Sequence, residues 1–214
     1  MTIDTDVHGM TPVQQRGELL ETAKAAMVMI HGRGATAESI LSLVNEIAVP
    51  GFAYLAPQAA GQTWYPYPFL SPLEANEPAL TSALKKIGRV VKQVEAAGIQ
   101  SQNIMLLGFS QGACLMLEYA ARNAQRYGGV AGLSGGLIGA DGTSRDYLGS
   151  LDHTPVFVGC SDIDSHIPLA RVNEAADVLG RLGGDITKRI YPRMGHTINQ
   201  DEIDFVRGMM EALA

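Results

Sequence analysis

A chain of 214 residues, 46% of them hydrophobic, can close one sizeable core but is short for two domains of ordinary size, so residues 1–214 are read as one domain. Acidic residues outnumber basic ones 22 to 16, giving a net charge of −6 with no Lys/Arg run able to neutralise a row of phosphates, which argues against a nucleic-acid partner. The first apolar run, residues 25–30, is far shorter than the ~20 residues a bilayer crossing needs, and the cysteines, Cys114 and Cys160, fall in or beside apolar elements; the expectation is a cytoplasmic protein without a membrane span.

Along the chain, residues 26–30 and 52–56 are apolar runs of strand length, followed by an irregular stretch over residues 57–78. Next comes a helical stripe of Leu80, Ala83, Leu84, Ile87, Val90, Val91 and Val94, with Lys85, Lys86, Arg89 and Lys92 facing away. A third run, 103–108, leads into an almost wholly apolar helix over 113–124, and a fourth, 129–133, into a second irregular stretch over 135–154. Runs at 155–159 and 186–191 alternate with helical stripes over 171–181 and 201–213. Continuous rather than alternating hydrophobicity in the strands predicts a sheet buried on both faces, and strand–helix alternation predicts a mostly parallel one with helices on each side. The two irregular stretches both follow strands, so they should rise over the carboxyl end of the sheet where ligands bind, and neither is long enough for a large cap domain.

Gly108-Phe109-Ser110-Gln111-Gly112 matches G-x-S-x-G, the strand–turn–helix elbow that lifts a serine above the sheet in the α/β-hydrolase fold. The pattern is weakly specific: chance expects about 0.1 matches in a chain of this composition, and a second one occurs at Gly132-Leu133-Ser134-Gly135-Gly136. Only Ser110 has both a strand before it and a helix behind it. The Gly-Gly-Leu-Ile-Gly-Ala-Asp-Gly that follows Ser134 will not sustain a helix, so Ser110 is the candidate nucleophile and Ser134 a crowded loop residue.

A serine hydroxyl needs an imidazole to take its proton and a carboxylate to hold that imidazole, in the order Ser, acid, His in this fold. Of the five histidines, His196 alone follows the last strand and precedes the last helix, whereas His8 lies in a polar N-terminal stretch and His153 precedes its strand. The acid should follow the strand 155–159, where Asp162 and Asp164 both stand. Asp164 precedes Pro168 by four residues, the usual place for the acid before a helix-opening proline, and Asp162 is then a turn residue bonding amides. Asp162, Asp164 and His166 could alternatively converge on a cation, but no second ligand cluster completes a shell, so no metal is expected.

Acyl transfer also needs two aimed N–H donors for the developing oxyanion. Gln111, directly after the nucleophile, supplies one, and Arg33 in His31-Gly32-Arg33-Gly34, directly after a strand, supplies the other. His31 is read as a ring on the substrate-binding side that pins this loop rather than as a catalyst. The densest aromatic segment, Trp64-Tyr65-Pro66-Tyr67-Pro68-Phe69-Leu70, fits either core packing or the wall of an acyl or aryl pocket, with Trp64 and Tyr65 as the substrate-binding candidates.

These motifs together, with the Gly132 segment and Met194-Gly195-His196, resemble the phospholipase/carboxylesterase family of small serine hydrolases, which includes bacterial carboxylesterases and acyl-protein thioesterases, from about residue 25 to the C-terminus. The resemblance implies a Ser110–Asp164–His196 triad, oxyanion amides at Arg33 and Gln111, a small-molecule ester substrate, no cofactor, and frequent homodimers. Two departures, Cys160-Ser161 in place of the common His-Gly before the acid and Arg33 in place of an apolar residue, favour small acyl or aryl esters. Thioesterase or lysophospholipase activity is the alternative, and a ligand-binding protein without turnover a more distant one.

Overall fold

The computed structural model describes residues 6–213. The expected strands form as β2 (Ala25–Ile30), β3 (Phe52–Pro57), β4 (Ile104–Phe109), β5 (Gly129–Leu133), β6 (Pro155–Ser161) and β7 (Asp185–Tyr191), all mutually parallel. In the centre of the sheet Val28 lies beside Leu55 on one neighbour and Leu106 on the other. One strand is unexpected: β1 (Val13–Gly17) pairs antiparallel with β3, completing the order β1-β3-β2-β4-β5-β6-β7. Its Val-Gln-Gln-Arg-Gly sequence lacks an apolar run because an edge strand is supported from one side only and stays half exposed.

Although the central strands read as continuously apolar, their side chains still alternate between two layers. Ala26, Val28, Ile30, Leu55 and Leu106 face a layer closed by α3 (Ala79–Ala96), α4 (Gln111–Arg122) and α5 (Leu169–Arg181). Met27, Met29, Tyr54, Met105 and Leu107 face the other, closed by α1 (Ala37–Leu41), α2 (Val44–Ile47) and α6 (Gln200–Glu211). Both layers are fully dry at these positions. Each of the Val, Leu, Ile and Met side chains among them contributes about 1.5–3 kcal/mol by leaving water, which holds the strand ends rigid enough to aim a site.

The stretches 57–78 and 135–154 rise over the carboxyl ends of the strands, and each carries only short structured turns. They are tied together there: the Gly139 amide donates to the Phe69 carbonyl at 2.7 Å, and the buried Arg171 on α5 donates to the Gly139 and Leu137 carbonyls while its guanidinium sits 5.6 Å over the Phe69 ring. Glu118, buried on α4, accepts from the Ile138 amide and the Tyr147 hydroxyl and pairs with Arg122. Among the described residues no helix is long and apolar enough to cross a membrane.

Candidate active site

Ser110 occupies the turn between β4 and α4 with φ 57° and ψ −122°, a left-handed conformation that costs a non-glycine residue about 1–3 kcal/mol and persists only where neighbours impose it. Here its amide donates to the Leu133 carbonyl and its carbonyl accepts from the Cys114 amide, both at 3.0 Å. The motif glycines answer to crowding rather than to torsion. A Cβ on Gly108 would stand 2.2 Å from the Gly112 carbonyl oxygen, and one on Gly112 would stand 2.2 Å from that of Ile30. Ser134 also has a positive φ, 53°, but no helix follows it and its hydroxyl is buried beside the Cys160 thiol.

The Ser110 hydroxyl lies 2.8 Å from His196 Nε2, and His196 Nδ1 lies 2.7 Å from Asp164 Oδ2. An ionised Asp164 can only accept, so Nδ1 carries the proton and Nε2 presents its lone pair to the serine. The Asp164 carboxylate is fully buried, and its other oxygen accepts the amides of His166 and Ile167 at 2.8 and 3.0 Å. Burial alone would raise its pKa, but the hydrogen bonds from His196 and these amides outweigh it and hold the carboxyl below its ordinary value. Asp162 points elsewhere, accepting the Arg193 amide at 2.7 Å and so anchoring the turn that carries His196. The departure at Cys160 brings a thiol to 3.8 Å from Asp164 Oδ2, and the His166 ring meets the His196 ring edge-on at 4.7 Å. Among the described residues no group of three or more His, Cys, Asp or Glu side chains is gathered as a metal site.

Arg33 and Gln111 border the same cavity as Ser110, and among the described residues the backbone amide of neither donates to another group. Gln111 is the first residue of α4, whose leading N–H groups have no partner within the helix. Its side chain does separate work, accepting the Trp64 amide at 2.9 Å and donating to the Tyr65 carbonyl at 2.8 Å. The Arg33 guanidinium donates to the carbonyls of Tyr65, Pro66 and Tyr67. The backbone of the aromatic loop is therefore fixed by the side chains of Arg33 and Gln111.

Trp64 and His31, expected on the substrate side, stand behind the cavity wall instead. Trp64 is completely buried, its indole donates to the His31 carbonyl at 2.9 Å, and its ring lies between those of His31 and His8 at 5.0 and 5.3 Å. Each histidine is locked as a neutral tautomer. His31 accepts from the Ala59 amide and donates to the Gly32 carbonyl, and His8 accepts from the Ala60 amide and donates to the Trp64 carbonyl. Burial lowers the pKa of both. The neighbours of His8 in sequence are polar, and nothing local betrays a contact made 56 residues away.

The cavity holds about 600 Å³ and is walled chiefly by Tyr65, Phe69, Phe109, Cys114, His166 and Ile167. Phe69 belongs to the aromatic segment singled out by its density. Phe109 and His166 flank the motif serine and acid, where a lining role is the natural reading of their position, whereas Cys114 and Ile167 carry no sequence signal. The arrangement brings a hydroxyl within reach of an imidazole that a carboxylate holds, beside a largely apolar enclosure, a combination that can support acyl transfer.

Comparison with known proteins identifies the family. The profile of the phospholipase/carboxylesterase family matches residues 18–213. A crystal structure of a phospholipase/carboxylesterase from Dyadobacter fermentans superposes with a TM-score of 0.91 at 42% identity, covering 94% of this chain and 96% of that one. A probable carboxylesterase, SOBER1-like, from Arabidopsis thaliana is 24% identical over 97% of this chain and 84% of its own. Acyl-protein thioesterase 1 of Gibberella zeae is 31% identical over 59% of this chain, and the match spans only about half, 54%, of the thioesterase. With a seven-stranded hydrolase sheet, a serine elbow and a profile match across nearly its whole length, the chain belongs to the phospholipase/carboxylesterase family of carboxylic ester hydrolases.

Proposed function

We propose that the protein cleaves esters of small acyl or aryl groups through an acyl-enzyme formed on Ser110. Attack by Ser110 Oγ on the ester carbonyl passes the hydroxyl proton to His196 Nε2, and Asp164 stabilises the resulting imidazolium through Nδ1. The carbonyl oxygen becomes an oxyanion that accepts from the Arg33 and Gln111 amides, each such donor contributing about 10²–10³ in rate. The tetrahedral intermediate expels the alcohol, which takes its proton from His196. Water then repeats the sequence in reverse roles and releases the acid. The observation that carries this reading is the unbroken row Asp164–His196–Ser110, with contacts of 2.7 and 2.8 Å.

Treatment with a fluorophosphonate, followed by peptide mapping, tests it: a single adduct at Ser110 and first-order loss of esterase activity are expected. An active, unlabelled enzyme would overturn the acyl-enzyme. The likeness to an acyl-protein thioesterase supports a second reading in which the leaving group is a thiol. Paired oxygen and thiol esters of the same acyl group separate the two, because one chemistry serves both and only the preferred leaving group differs.

A further inference from the structure

We propose that the Arg33 guanidinium gives the cavity a standing positive potential, and that the esters this enzyme favours carry a carboxylate remote from the scissile bond, on the acyl or the alcohol part. The inference rests on the reading of the cavity as the substrate pocket of a serine esterase and assigns that pocket a substrate class. Arg33 borders the cavity, is exposed to solvent and has no carboxylate partner among the described residues. Its guanidinium donates instead to the carbonyls of Tyr65, Pro66 and Tyr67 at 2.9, 2.8 and 2.9 Å, and its Nε–H is left without a partner among the described residues. Tyr65 and Pro66 border the cavity as well, so the charge sits within hydrogen-bonding distance of wall residues. Three carbonyls fix the position of the cation without neutralising it, which leaves it preorganised for an anion that arrives with the substrate.

No negative charge on the wall offsets it. None of the residues bordering the cavity is Asp or Glu, and the histidines there, His166 and His196, are neutral or cationic but never anionic. Burial pushes the Cys114 thiol up to about 12 and the Tyr65 phenol well above its ordinary range, so both stay uncharged at working pH. The triad carboxylate is not part of the wall: Asp164 is fully buried, with one oxygen on His196 Nδ1 and the other on the amides of His166 and Ile167. The chain as a whole carries a net charge of −6, so a cavity bordered by a cation and no anion is a local arrangement rather than a reflection of composition. Charges act through solvent over about 10 Å at 0.1 M salt, and the guanidinium therefore need not touch the reacting atoms to select among substrates. Phe69, Phe109 and Ile167 supply apolar wall for the carbons between the carboxylate and the ester. Fastening the aromatic loop is a second role of the same side chain, but it predicts an equal loss on every ester when Arg33 is changed, whereas recognition of charge predicts a loss on the anionic ester alone.

The test uses the intact protein in a pH-stat with ethyl esters of straight-chain dicarboxylic acids for the acyl side and acetates of ω-hydroxy acids for the alcohol side, each made with a carboxylate, a carboxamide or a trimethylammonium at the remote end. At about 20 mM salt the carboxylate is expected to exceed the carboxamide at least about fivefold in kcat/KM in one series, with the ammonium lowest, and the advantage to shrink toward parity at about 0.5 M. Arg33→Lys keeps the charge and should keep a preference, whereas Arg33→Gln should remove it. Reading the ratio of carboxylate to carboxamide ester cancels any general loss from disturbing the loop. Tyr67→Glu sets a carboxylate beside an unaltered Arg33, from an exposed position whose own carbonyl holds the guanidinium, and should remove the preference too. A wild type that shows no preference, or favours the ammonium, in both series overturns the proposal without any variant. So does a preference that survives Arg33→Gln or, where that variant is unfolded or inactive, Tyr67→Glu. Absence of turnover on every ester refutes instead the esterase reading on which the proposal rests.

Discussion

Glu202 is the third residue of α6 and closes a capping box with Asn199: the Asn199 amide donates to Glu202 Oε2 at 2.9 Å, and the Glu202 amide to Asn199 Oδ1 at 3.0 Å. Its other oxygen, Oε1, is buried and unpaired. Burial, with the neighbouring charge of Asp201 adding to it, raises its pKa from 4.5 to about 7 despite the Asn199 bond. A carboxyl whose pKa is raised on folding contributes fully below the unfolded value, and that contribution is lost as the pH climbs through the folded one. At 1.36 kcal/mol per unit the loss between pH 4 and pH 8 comes to about 3 kcal/mol. Glu202→Gln cannot ionise and keeps an acceptor for the Asn199 amide, at the cost of about 1 kcal/mol for a buried NH₂ group. Urea unfolding at pH 5 and pH 8 should show the variant near or slightly below the wild type at the lower pH and about 2 kcal/mol above it at the higher. A difference that is the same at both pH values would refute the reasoning, since packing and capping do not titrate in that window.

Other predictions concern the site itself. Ser110→Ala should lose at least about 10³ in kcat on an activated ester, while Ser134→Ala, whose hydroxyl reaches nothing in the cavity, should stay within about threefold; steady-state kinetics beside thermal melts decide it. Asp164→Asn should lose about 10²–10⁴ in kcat, some 3–5 kcal/mol of transition-state stabilisation, because an amide favours the wrong imidazole tautomer. Asp162→Asn, which can still accept the Arg193 amide, should lose at most about tenfold, and the reverse ranking would transfer the orienting role to Asp162. His8 and His31 have pKa values held below 6.5 by burial, so the stability they confer is present above that pH and falls as protons are forced onto rings already facing amide donors. The single tryptophan of the chain, Trp64, lies between them. On acidification from about pH 7.5 its emission should therefore shift to the red before the far-ultraviolet circular dichroism changes, and coincident transitions would dissociate the two rings from the loop.

Much of this protein could be read from local pattern, where local chemistry was the cause. The parallel strands announce themselves because burial on both faces leaves no room for polar residues, as in Ala25–Ile30. The elbow does so because two backbone approaches exclude any Cβ at Gly108 and Gly112. His196 followed from chain order once Ser110 was placed. What escaped depended on partners distant in sequence. The strand β1 has no periodicity of its own and exists through its ladder to β3. The helices α1 and α2, of five and four residues, are too short to display a helical stripe. Trp64 and His31 illustrate the limit from the other side. Their residue types suited a pocket wall, but the residue of this segment that borders the cavity next to Trp64 is Tyr65, and neither composition nor spacing distinguishes adjacent positions on an irregular loop.

The two attachments of Gln111 bear on how such an enzyme can diverge. The amide proposed to receive the oxyanion and the carboxamide that holds Trp64 and Tyr65 belong to one residue, so the chamber that selects a substrate and the groups that accelerate its cleavage share an anchor. Exchanges of side chains along the aromatic loop leave that anchor in place and can retune preference at little expense in turnover. Insertions or deletions that drag the loop backbone would pull on Gln111 and misdirect its amide, where displacement by about 1 Å can cost about 10²-fold in rate. Descendants with new substrate ranges should accordingly keep the length of residues 63–67 and a glutamine after the serine while varying the rings, and laboratory selections for new specificity should recover point substitutions here far more often than changes in loop length.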